Sequence, residues 1–163
     1  MSPTLSRGAC LGYCLIVVVA IAACEHPAAI TPPTIHYGED ACDFCRMTID
    51  DARFAAALIY RAPAGRQRVA IFDDIGCMLA WQREHSSDRT ITAFVHDYKT
   101  HQWIKASGAW YVRSSAIQTP MGWGIAAGAS QTDAEQANPG SSLKAMDFSE
   151  LWSAEKPGQG TMK

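Results

Sequence analysis

Apolar and polar positions divide the chain into stretches of different character. Arg7 is followed by an uninterrupted apolar run from about Ala9 to Ala23, which ends in Ile21-Ala22-Ala23-Cys24. A membrane-spanning helix needs about 20 apolar residues and a secretory core about 7–15, so the run reads as an export signal over residues 1–23. From Glu25 to about Asp40 the chain is rich in Pro, Ala and Thr, with Pro27, Pro32 and Pro33. Residues 24–40 therefore read as an extended tether.

Beyond the tether the periods become those of folded elements. Phe54 to Tyr60 is an apolar run of strand length, Pro63-Ala64-Gly65 is a turn signal, and Arg68 to Phe72 is a second strand that should pair with the first. Asp73 or Asp74 can cap a helix, because a carboxylate satisfies the free amides of a first turn. Ile75, Met78, Leu79 and Gln82 follow at helical spacing up to about His85, and a third strand runs from Thr90 to Val95 before Asp97-Tyr98. The second half repeats the order: strands at Ala109–Val112 and Gly124–Ala127, a short helix over Thr132–Ala137 opened by Ser130 or Thr132, and a closing strand over Ser142–Met146. The expected fold is α+β, two small similar ββαβ units of about 41–98 and 108–152 within a domain of 41–155. Ser149 to Trp152 adds a terminal helical turn, and 156–163 is a frayed tail.

Cysteine positions add the first chemistry. Small residues before Cys24 are what a lipoprotein signal peptidase accepts, so the Cys24 thiol is expected to carry a diacylglycerol and its freed amine a further acyl chain. Two chains anchor stably, since each buried methylene contributes about 0.8 kcal/mol. The alternative is an ordinary cleaved signal with a coincidental cysteine. Cys10 and Cys14 leave with the signal, and three cysteines remain in the mature domain: Cys42, Cys45 and Cys77. An oxidising compartment makes an odd number of thiols a feature that needs a reason.

Charge excludes more than it proposes. Among 14 Lys and Arg and 16 Asp and Glu, the signal removes only Arg7, so the mature part is mildly acidic. That balance gives no reason to expect nucleic acid or an anionic membrane surface as partner. No constellation for hydrolysis or acid–base catalysis is visible, and the chain is not expected to be an enzyme.

The chemistry concentrates at Cys42-Asp43-Phe44-Cys45-Arg46-Met47. Two cysteines at this spacing can converge on one metal or close one disulfide. A neighbouring thioether favours Cu(I), for which it is a good soft ligand, over zinc, to which it adds little. Zinc would also want four firm ligands, and no second Cys/His pair at short spacing supplies them. A thioredoxin-type pair would open a helix after a strand, whereas this one follows a Pro-rich tether and precedes a strand. Cys77 is open to three readings: a buried hydrophobe, a disulfide partner, or a third thiolate. Met121, in Pro120-Met121-Gly122-Trp123-Gly124, lies on a loop, where a thioether either packs or binds metal. Trp123 shields that site or covers a strand end.

Cys42-x-x-Cys45-x-Met47, Phe72 followed by Cys77-Met78-Leu79, Val95-His96-Asp97, Trp110-Tyr111-Val112 and Met121-Gly122 occur in an order and spacing that resembles the NosL family, from about Asp40 to Trp152. The resemblance implies an extracytoplasmic lipoprotein that binds one Cu(I), held in two- or three-coordination by Cys45 and Met47 with Cys42, Cys77 or Met121 completing the shell. It also implies delivery of copper to the copper-sulfide centre of nitrous oxide reductase beside a membrane maturation complex. Partners expected on this basis are that enzyme, that complex and, through Cys24, the lipid membrane of the periplasm. Many members carry Gly before the motif methionine where this chain has Arg46. The competing function is a lipoprotein thiol-disulfide oxidoreductase built on Cys42 and Cys45.

Overall fold

The computed structural model describes residues 30–63, 65–140 and 142–154. The expected signal peptide, Cys24, the first part of the tether and the tail lie outside the described residues. Among those described, no helix is long and apolar enough to cross a membrane.

The run that begins at Phe54 becomes β1 (Ala56–Arg61), and its hairpin partner is β2 (Gln67–Phe72). They pair antiparallel from Ala56 opposite Phe72 to Arg61 opposite Gln67. After β2 comes α1 (Ile75–Glu84), then β3 (Arg89–His96), which returns antiparallel to the other side of β1. Residues Ala56 to Ile59 are all buried, so both faces of the central strand are covered and its sequence is continuously apolar instead of alternating. A further strand, β4 (Trp103–Lys105), is absent from the sequence reading; it pairs with β3 and completes a sheet of order β2-β1-β3-β4.

Asp74, not Asp73, caps α1: its side chain accepts the Gly76 amide at 2.9 Å. The helix buries Ile75, Cys77, Met78, Leu79 and Trp81 in the main core, with Phe72, Leu58 and Val95. Fully burying side chains of this size contributes about 1.5–3 kcal/mol each. Within the stretch assigned to the tether, Ile35 packs into this same core, and the Gly38 amide donates to the Ile49 carbonyl at 2.9 Å.

The second half opens with β5 (Trp110–Arg113) and β6 (Ile125–Gly128), an antiparallel pair, followed by α2 (Gln131–Glu135), whose cap is Ser130 accepting from the Asp133 amide. The expected closing strand over Ser142–Met146 is reduced to one bridge, Met146 opposite Tyr111. β5 is only four residues long, and Asn138-Pro139-Gly140 lies between α2 and this segment, leaving little ladder for a fourth strand to extend. The second half thus follows the element order of the first as far as α2 and then departs from it. The chain ends in α3 (Phe148–Ala154), longer than the single turn expected.

Asp97 joins the halves. Its buried carboxylate accepts from the amides of Thr100 at 2.7 Å, Lys99 at 3.1 Å and Ala129 at 2.7 Å, and from the Thr100 hydroxyl at 2.8 Å. The Tyr98 amide beside it donates to the Ala127 carbonyl at 2.8 Å. Burial alone would raise the Asp97 pKa, but these donors hold it below the usual carboxylate value.

Candidate metal site

The cysteine pair sits on a tight loop. Ala41 bridges to Thr48, the Cys42 amide donates to the Met47 carbonyl at 2.8 Å, and the Arg46 amide donates back to the Cys42 carbonyl at 3.0 Å. Closing so short a loop requires left-handed backbone at Arg46, whose φ is 68°. That is the conformation glycine adopts most readily, which gives a physical reason for Gly to be favoured at this place.

Asp43 decides where the loop goes. Its amide donates to the Ile71 carbonyl at 2.8 Å and its carboxylate accepts the Ile71 amide at 2.8 Å. Ile71 belongs to β2, an edge strand with unpaired backbone groups on its outer side. Docking there carries Cys42 and Cys45 to the end of β2, where Asp73 follows and α1 begins with Cys77 in its first turn.

Four side chains converge as a result. The sulfurs of Cys42, Cys45 and Cys77 and an oxygen of Asp73 all lie within 4.8 Å of one another, the one such group of three or more His, Cys, Asp or Glu among the described residues. All three cysteines are free thiols; Cys42 and Cys77 are buried, and Cys45 is half-buried. Cys77 is fully buried, with its sulfur facing Cys42 and Cys45. Asp73 is the member that sequence reasoning left out, having assigned both acids to capping. It is buried, and the Cys45 thiol donates to its two oxygens at 3.4 and 3.5 Å. It also supplies the fourth group that the sequence reading found wanting for zinc.

The thiols differ in acidity. The Cys77 thiol donates to Cys42 and, against the opposing effect of burial, with the amides of Asp73, Cys45 and Phe44, holds Cys42 down at about 7. Cys45 is pushed up to about 12, mainly by burial and also by the neighbouring Cys42 and Asp73 charges. Cys77 is raised through its bond to Cys42 and by burial. Cys42 is thus the most acidic of the three, and an incoming cation would have to displace the thiol protons of Cys45 and Cys77.

The methionines are placed differently from each other. Met47 is 53% exposed beside the loop, whereas Met121 is half-buried against the main core. The loop bearing Met121 is tied to the site through Asp74, whose second oxygen accepts the Thr119 hydroxyl at 2.6 Å and the Met121 amide at 3.1 Å. Trp123, from the same loop, packs against Gly76 next to Cys77, so it covers the start of α1. The histidines are elsewhere: His96 is buried against Trp103, and His85 stacks on Trp81.

A small antiparallel α+β domain with three thiols and a carboxylate gathered at one strand end has the donor set of a metal-binding protein. The NosL family model matches residues 33–153, and the chain belongs to that family. Its fold is similar to the crystal structure of the copper chaperone NosL from Shewanella denitrificans, with a TM-score of 0.63 and 20% identity, covering 77% of this chain and 98% of that one. At that identity the likeness is one of fold. No curated protein sequence matches the chain.

Proposed function

We propose that this chain is an extracytoplasmic, membrane-anchored lipoprotein that carries Cu(I) as its cargo and delivers it to the copper-sulfide centre of nitrous oxide reductase. The observation that carries the reading is the convergence of Cys42, Cys45 and Cys77 beside two methionine-bearing loops. A soft monovalent ion takes two or three sulfur ligands, and buried thiolates supply affinity. Cys42, the most acidic of the three thiols, is the first ligand; Cys45, half-buried, is the group through which an ion enters and leaves. Met47 and Met121 would supply neutral thioethers, able to replace a thiolate without a proton and to yield in turn to a recipient. Asp73 balances the cation's charge.

The presence of Asp73 favours a second reading, zinc held by three thiolates and a carboxylate. Competition of the reduced domain against a Cu(I) chelator and, separately, against a Zn(II) chelator separates the two. One equivalent of tightly held Cu(I), lost in Cys45→Ser and weakened in Met47→Ala, is the expected result. Zinc retained at comparable affinity, with Met47→Ala indifferent, would replace copper with zinc. Catalytic thiol exchange undiminished in Met47→Ala, with copper affinity unaltered, would point to the oxidoreductase instead. The anchor is checked by palmitate labelling, which Cys24→Ser should abolish.

A further inference from the structure

Four arginines lie at the opposite end of the first sheet from the sulfurs, Arg61 and Arg89 on one face and Arg68 on the other. β1 ends at Arg61, β3 begins at Arg89, and Arg66 and Arg68 flank the start of β2. Strand register sets Arg61 directly opposite Arg89 across β1 and β3, and opposite Gln67 across the hairpin. Like charges facing each other across a ladder are destabilising, so this arrangement is not explained by the fold's own stability. All four arginines are exposed, and none forms an ion pair with an acid among the described residues. The hairpin from Arg61 to Arg68 carries no acid, and Asp88 precedes Arg89.

The tether arrives at this same end. Ile30, the first described residue, lines a shallow hollow of about 290 Å³ together with Arg61, Gln67, Arg89, Thr90 and Ile91. Cys24 lies six residues upstream. Even a fully extended chain keeps it within roughly 20 Å of Ile30. A lipid on Cys24 therefore keeps the arginine end within reach of the bilayer. The sulfur cluster follows Phe72, five residues along β2 from Gln67, so it stands about 17 Å further off.

We propose that the Arg61, Arg66, Arg68 and Arg89 end of the sheet docks on the anionic phospholipid headgroups of the membrane that holds Cys24, orienting the sulfur cluster away from the bilayer. This rests on the lipoprotein reading for the source of the surface. Overall charge hides the feature, because the mature chain is mildly acidic as a whole; the attraction is local, and an anionic surface acts on the basic residues within about a Debye length of it.

The test uses the mature chain carrying Cys24→Ser, so that no acyl chain contributes, in flotation with phosphatidylglycerol/phosphatidylcholine vesicles and with phosphatidylcholine alone. Binding to the anionic vesicles only, released by salt and weakened about fivefold by each arginine changed to glutamine, is the expected result. The quadruple change to lysine keeps the binding and controls for folding. Equal binding to both vesicles, no binding to either, or binding unaltered by the quadruple glutamine change overturns the proposal. Complete competition by soluble glycerol phosphate at the vesicles' phosphate concentration would assign a free-phosphate site instead, and also overturns it. Palmitate labelling of the native chain decides the anchor separately, so either reading can fail without the other.

Discussion

The five-membered ring of Trp123 occupies the space that a Cβ on Gly76 would need. Glycine inside a helix ordinarily costs about 0.5–1 kcal/mol relative to alanine. Here it is what lets the 119–124 loop close over the helix start that carries Cys77. Gly76→Ala should therefore destabilise the domain by about 1–3 kcal/mol, the range for overpacking a filled site, despite the better helix former. Urea unfolding checks the loss, and a red shift of tryptophan emission checks the displacement of Trp123. Unchanged stability would mean that the indole moves aside freely.

Two adjacent acids have separable roles. Asp74 accepts three hydrogen bonds in a buried position, and burial raises its pKa despite them. Asp74→Asn turns an amide towards groups that already donate, which should cost about 1–3 kcal/mol of stability. The Asp73 carboxylate instead accepts the Cys45 thiol. A unit charge about 4 Å from another is worth up to about 4 kcal/mol at an effective dielectric near 20. Asp73→Asn should accordingly lower Cu(I) affinity by at least about tenfold, about 1.4 kcal/mol, with the fold intact. Chelator competition alongside thermal unfolding distinguishes them, and copper affinity untouched by Asp73→Asn would remove Asp73 from the site.

Arg46 holds a left-handed conformation that costs a side-chain-bearing residue about 1–2 kcal/mol. Glycine would relieve it but return about 0.4–1 kcal/mol through the greater freedom of the unfolded chain. The exposed Arg46–Asp43 pair, at 3.7 Å, adds little. Arg46→Gly is expected to raise stability by up to about 1 kcal/mol in chemical denaturation, on this balance of strain and freedom. A clear fall would show that the arginine holds the loop by contacts that outweigh its strain.

His96 is expected to make the stability of the fold depend on pH. Its ring is buried against Trp103, with Nδ1 3.2 Å from the Ala55 carbonyl and Nε2 3.3 Å from the Tyr37 hydroxyl. Burial, aided by the His101 charge, lowers its pKa from 6.5 despite the Ala55 hydrogen bond. The native state thus binds this proton less readily than the unfolded chain. Its contribution to stability is full above pH 6.5 and is lost as pH falls towards the native pKa. Denaturation midpoints should drop with acidification from that point, and His96→Gln should flatten the drop. An equally steep profile in the variant would assign the effect to other groups.

The sequence made the first half readable because apolar runs, a turn and a capping acid agreed on β1, β2, α1 and β3. It did not reveal β4, since Trp103-Ile104-Lys105 is too short to show a period. It overstated the strand ending at Met146, where the apolar content was sufficient but the partner ladder was not. The Cys42/Cys45 pair was visible as a motif, yet its convergence with Cys77 depends on Asp43 binding Ile71, a contact between residues 28 apart that no local pattern encodes. Either of Asp73 and Asp74 satisfies a capping rule; only the direction of the backbone frees Asp73 for the sulfurs. The arginine end escaped because net charge averages over a surface that register has sorted.

Asp43 also bears on what happens when the loop lets go. Ile71 lies on the open side of β2, and its neighbour Val69 is 48% exposed on that strand. While Asp43 occupies both backbone groups of Ile71, a second chain cannot add there as a new strand. The segment that presents the sulfurs is thus a guard on the sheet's edge. A molecule whose loop has been pulled out of place would offer an unpaired strand to its neighbours, the route by which such edges self-associate.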